Sequence, residues 1–138
     1  MPMIESIAIA VVAITGAYFV ALGLGSLFVP GKAANFLLGF AATPRLHYVE
    51  LLTRVLVGMA FIVSAHRLPA HLVFSVFGWV LLSTSALLFL VPWRWHHRFA
   101  GKVVPVANRY ITAIGLSSLV FGVHILASVA SGIAATAM

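Results

Sequence analysis

The sequence predicts an all-α integral membrane domain, a four-helix bundle running up-down-up-down. Three observations predict it. The 138 residues are 63 % hydrophobic and only 7 % charged, whereas a soluble domain carries about 25 % charged residues. Mean hydropathy is +1.17. Apolar stretches near the ~20 residues needed to cross a bilayer recur four times, at about residues 4–29, 47–66, 71–91 and 108–134. The segments between them are too short for a second domain, so residues 1–138 read as one transmembrane unit.

The first helix, Ile4 to Val29, is uncharged after Glu5 and is ended by Pro30-Gly31. The start, Met-Pro-Met-Ile-Glu-Ser, lacks a basic leader region and reads as the exposed beginning of this helix rather than a cleaved signal. Ala13, Ala17, Ala21 and Gly25 recur at every fourth place, a small-residue row that lets a neighbouring backbone approach closely.

The next stretch, Gly31 to Arg45, is too short to span and too apolar to sit free in water. A short interfacial helix or re-entrant turn is expected. The second helix, His47 to Ala65, carries Glu50 and Arg54. One charge at mid-depth costs roughly 2.5–3.5 kcal/mol on insertion scales. The four-residue spacing, Glu first, favours an ion pair on one face, and that face is expected to turn inward. Tyr48 and Thr53 are the nearest further polar candidates.

His66 to His71 forms a turn. The third helix, Leu72 to Val91, holds Ser75, Ser83, Thr84 and Ser85, hydroxyls able to bond along or across helices. After Pro92 comes a basic, aromatic loop containing Trp93, Arg94, Trp95, Arg98 and Lys102. This composition suits anionic lipid headgroups. The fourth helix, Asn108 to Ala134, has a second small row at Gly115, Ser118 and Gly122, with His124 as its one titratable interior residue.

Basic residues in and beside the loops between helices one and two and between three and four number six, namely Lys32, Arg45, Arg94, Arg98, Lys102 and Arg109. The opposite side has Arg67. Positive-inside bias therefore predicts cytoplasmic long loops and both termini outside. The two halves also share short matches: Ser-Leu-Phe-Val-Pro (26–30) with Leu-Phe-Leu-Val-Pro (88–92), and Val-Gly-Met (57–59) with Phe-Gly-Val (121–123). Their common orientation suggests two parallel hairpin repeats.

Several function classes fall away. Cysteine and aspartate are absent, which removes thiolate chemistry, disulfides and paired-carboxylate catalysis. No G-x-S-x-G, H-E-x-x-H or phosphate-binding loop is present, so no catalytic residue is assigned. The net charge of +6 has no nucleic-acid-binding motif beside it, and the expected counter-charge is membrane lipid. His66, His71 and His124 all lie toward the outer side and form a conceivable haem or metal set. His96 and His97 are adjacent and point different ways, which makes them poor joint ligands.

The run Glu50-Leu-Leu-Thr-Arg54-Val-Leu-Val-Gly58, following Leu27-Phe-Val-Pro30 and an apolar loop, resembles small bacterial four-helix membrane proteins of the DoxX-like kind. The resemblance covers about Gly23 to Ala65. Most such proteins lack an assigned function, and some are linked to quinone- or sulfur-related redox complexes. It implies an accessory redox subunit, and the setting expected is the bacterial inner membrane.

Three functional expectations follow. The first is a non-catalytic accessory or assembly subunit, a homo-oligomer or part of a larger complex, acting through its small-residue rows. The second is a protein that binds or transports a small molecule or quinone near Glu50, Arg54 and Tyr48. The third is a haem or metal redox subunit.

Overall fold

The computed structural model describes residues 2–39 and 43–137. They form six α-helices: α1 (Met3–Phe28), α2 (Pro30–Gly39), α3 (Pro44–Ser64), α4 (His71–Leu90), α5 (Trp93–Asn108) and α6 (Ile111–Ala137). A single 3-10 turn, Ala65–Arg67, extends α3. Four of these helices are long and apolar enough to cross a membrane: α1, α3 with its extension, α4 and α6. The chain is a multi-pass membrane protein by that measure.

Local chemistry sets the boundaries. Helix α3 starts earlier than its apolar run, because Pro44 occupies the first turn and the Thr43 hydroxyl accepts from the Leu46 amide at 3.2 Å. The expected short helix after Pro30 is present as α2. The basic segment after Pro92, expected as a loop, is instead the helix α5, and Pro105 lies within it. Its polarity disguised it, since an interfacial helix needs only one apolar face. Glu5, expected to be exposed, is mostly covered. Its carboxylate meets His66 Nε2 at 3.1 Å and Arg67 Nε at 2.9 Å, fixing the start of α1 against the end of α3.

Helix α1 packs chiefly on α6 and also on α3, while α3 packs on α4. One phenylalanine from each span meets in the middle. Phe77 of α4 lies 4.7 Å from Phe61 of α3, 5.0 Å from Phe121 of α6 and 6.0 Å from Phe19 of α1, centroid to centroid. Such tilted and edge-on pairs add roughly 0.5–1.5 kcal/mol each beyond area burial.

Glycines govern the closest crossings. A Cβ on Gly122 would lie 2.7 Å from the Val20 amide nitrogen and 2.8 Å from the Gly16 carbonyl oxygen. One on Gly23 would lie 2.8 Å from the Gly115 oxygen. In α3 and α4, a Cβ on Gly78 would lie 2.8 Å from the Gly58 oxygen. The Gly115–Gly122 row of α6 is thus taken up inside the chain against α1, with Ser118 Oγ donating to the Phe19 carbonyl at 2.8 Å. Of the row named on α1, Ala13 packs against the core but the rest is not in contact. Ala17 and Ala21 are exposed and Gly25 has nothing near its Cβ position. Gly16 and Gly23 make the crossing instead.

The burial pattern repeats along the chain. Leu51, Gly58, Phe61, Ser64 and Ala65 are buried, and so are their counterparts 64 places on, Gly115, Gly122, Ile125, Ser128 and Val129. Val12, Gly16 and Gly23 are buried together with Phe74, Gly78 and Ser85, 62 places on.

Candidate functional site

The site grows from one face of α3. His47, Glu50 and Arg54 are spaced three and four apart and therefore share that face. Arg54 reaches across to α4, where Thr84 and Ser85 stand side by side. Both hydroxyls donate to their own helix, Thr84 Oγ1 to the Val80 oxygen at 2.8 Å and Ser85 Oγ to the Leu81 oxygen at 2.6 Å. Their lone pairs are left to accept from the guanidinium. Arg54 Nη2 donates to Thr84 Oγ1 at 2.5 Å and Nε to Ser85 Oγ at 3.1 Å. The hydroxyls orient the cation, and Nη1 then stands 3.5 Å from Glu50 Oε1. Glu50 and Arg54 keep only 19 % and 27 % of their side-chain exposure, so the pair is turned inward as expected.

The other carboxylate oxygen is the anomaly. Glu50 Oε2 is buried and makes no hydrogen bond. Its nearest cationic candidate is His96 Nε2, at 3.7 Å, too far for a hydrogen bond. Leaving a buried acceptor unsatisfied costs about 1–3 kcal/mol. His96, from α5, is itself buried and packs on His47, also buried. Their Nδ1 atoms are 2.6 Å apart, so one ring must donate and the other accept. The tautomers consistent with both contacts put the proton on His47 Nδ1 and on His96 Nε2, directing the latter N–H toward Glu50. A connected set of six side chains results, drawn from α3, α4 and α5.

His96 is also the opening of this set. It helps wall a groove of about 390 Å³ between the end of α4 and α5, otherwise lined by Leu88, Val91, Trp95 and Phe99. An apolar cleft with one convergent polar group is the usual form of a small-molecule site. Neither Glu50 nor Arg54 lines this groove.

The chain was compared with protein-family models, curated proteins and solved structures. None matches.

The remaining sequence-predicted residues are dispersed. Tyr48 is exposed, its ring 5.1 Å from that of His47 and 6.2 Å from that of Phe89. Thr53 faces outward and donates to the Val49 oxygen at 2.8 Å, so it takes no part in the pair. His66 is held by Glu5, His71 is exposed at the start of α4, and His124 stacks on Phe74 at 5.9 Å. Among the described residues no group of three or more His, Asp or Glu side chains is placed to hold a metal ion. On α5, Arg94, Trp95, Arg98 and Lys102 are exposed, while Trp93 is half-buried with its ring 5.5 Å from that of His97.

Sequence reasoning missed His47, His96 and the specific role of Thr84 and Ser85. One signal for His47 was available: it sits one turn before Glu50 on the same face. His96 joins only through a contact 49 residues distant, which no local pattern reveals.

Proposed function

We propose that this chain is a non-catalytic membrane protein that binds a lipophilic molecule bearing a carbonyl or hydroxyl head, of the quinone class, at the α4–α5 groove. One observation carries the reading. His96 lies in the wall of an apolar groove, and behind it stands a buried Glu50–Arg54 pair with one oxygen unsatisfied. Ionisable groups at membrane depth are expensive and tend to mark function. In this reading the His96 Nε2–H, which makes no hydrogen bond to Glu50 at 3.7 Å, turns to donate to the ligand oxygen, and Arg54 holds Glu50 in place behind the ring.

The setting proposed is the bacterial inner membrane. The four spans form an up-down-up-down bundle of two parallel repeats with both termini outside, supported by the six-to-one basic bias and the repeated burial pattern. Trp95 gives the test. Titration of purified protein with decylubiquinone should quench tryptophan fluorescence saturably. His96→Leu should weaken the response at least tenfold, and Trp95→Phe should remove most of it. Linear, non-saturating quenching in all three proteins would end the proposal.

A second reading, an accessory or assembly subunit, is favoured by the exposed Ala17 and Ala21 and the open Gly25 on α1. Purification in mild detergent tests it. A strictly monomeric particle with no co-purifying protein counts against it.

A further inference from the structure

A second groove, of about 290 Å³, runs between α1 and α2 and uses none of the residues just described. Tyr18, Ala21 and Gly25 of α1 and Lys32, Ala33 and Phe36 of α2 line it. Gly25 does not serve helix packing, since nothing lies within 4 Å of its Cβ position. Together with Ala21 it leaves the floor open. Lys32 is exposed at the groove's end, just past the end of α1.

Depth and charge identify an occupant. Tyr18 stands ten residues before the end of α1, or about 15 Å along a helix. That is the thickness of one leaflet of a hydrocarbon core of about 30 Å. With Lys32 at the headgroup level, the groove would reach mid-bilayer at Tyr18. An extended acyl chain has that reach. The chain's only two acids are both committed elsewhere, Glu5 to His66 and Arg67 and Glu50 to Arg54. Among the described residues no side-chain carboxylate pairs with Lys32, which leaves the exposed ammonium available to an anion from outside the chain.

We propose that this groove is a binding site for one anionic phospholipid. An acyl chain lies along Tyr18, Ala21 and Gly25, and Lys32 holds the headgroup phosphate. The site differs from the general basic surface of α5 because it requires an empty floor as well as a charge.

The test is native mass spectrometry of detergent-released full-length protein, titrated with phosphatidylglycerol, phosphatidylcholine and free palmitate. Wild type should retain one phosphatidylglycerol in preference to phosphatidylcholine. Lys32→Gln should weaken retention about fivefold, the worth of one basic residue at an anionic surface. Gly25→Leu should weaken it at least as much by filling the floor, with helical content and melting temperature unchanged. Replacing Arg94, Arg98 and Lys102 together by Gln should leave the single retained lipid in place. Equal retention of both phospholipids, insensitivity to Gly25→Leu, or preference for palmitate would each overturn the proposal, the first two by showing an annular lipid only.

Discussion

Two helix pairs in this molecule are built alike and loaded differently. The α1–α6 pair closes on Gly16 with Gly122 and on Gly23 with Gly115, and the α3–α4 pair closes on Gly58 with Gly78. In both, a carbonyl of one helix sits where a side chain of the other would be. Among the described residues the first crossing shows no cross-helix ion pair; Ser118 ties it by a hydroxyl to a backbone oxygen. The second carries an arginine, a glutamate and two hydroxyls, and draws in His96 from α5. Since close glycine packing suffices to join the first pair, the polar set in the second is more than the crossing itself requires. That surplus is the argument for function at Glu50, Arg54 and His96.

The most damaging change should fall in the loaded pair. Arg54→Leu leaves Glu50 without its cation and should cost about 3 kcal/mol, the lower end for breaking a buried pair because both side chains retain some exposure. Chemical or thermal unfolding in mild detergent reads this. The double variant Glu50→Gln/Arg54→Met should recover most of the loss, because no lone charge remains. A double variant as unstable as Arg54→Leu would show that the pair itself holds α3 to α4.

Next comes the unloaded pair. Gly122→Val places carbon 2.7 Å from the Val20 nitrogen, a backbone atom that cannot swing aside, and should cost about 1–3 kcal/mol. Gly25→Ala, at the end of the open row of the same α1, should change stability by less than about 0.5 kcal/mol. Equal effects at Gly122 and Gly25 would mean that α1 and α6 do not cross as described.

A smaller effect is expected at the edge of the polar set. His47→Leu roughly keeps the side-chain volume and removes one hydrogen bond to His96, which should cost about 1 kcal/mol. It should also weaken quinone-induced quenching, because His96 loses the partner that orients its N–H. Unchanged quenching would place the ligand away from His96.

The four spans were legible because hydropathy and length suffice to mark them, and the Glu50–Arg54 pair because charge in an apolar run has few places to go. Helix α5 was not legible as a helix, since its polar residues read like a loop and its partners lie in distant sequence. Of the two small-residue rows, that of α6 lies in the crossing and most of that of α1 does not. Fourth-place spacing on α1 picked the face of Ala17, Ala21 and Gly25, whereas the crossing uses glycines seven apart, Gly16 and Gly23 on α1 and Gly115 and Gly122 on α6. Seven-residue spacing keeps one seam in register between two gently coiled helices. The contact of His47 with His96 depends on tertiary structure alone.

The most direct test of functional surplus in the α3–α4 pair is ligand-induced stabilisation of the folded double variant. Wild type and Glu50→Gln/Arg54→Met are melted in mild detergent with and without decylubiquinone. A ligand at a hundred times its Kd adds about 2.7 kcal/mol to the state that binds it. Wild type should gain a shift of that order, and the double variant should fold and gain a clearly smaller one. An equal shift in both proteins, or no shift in wild type, would contradict the account.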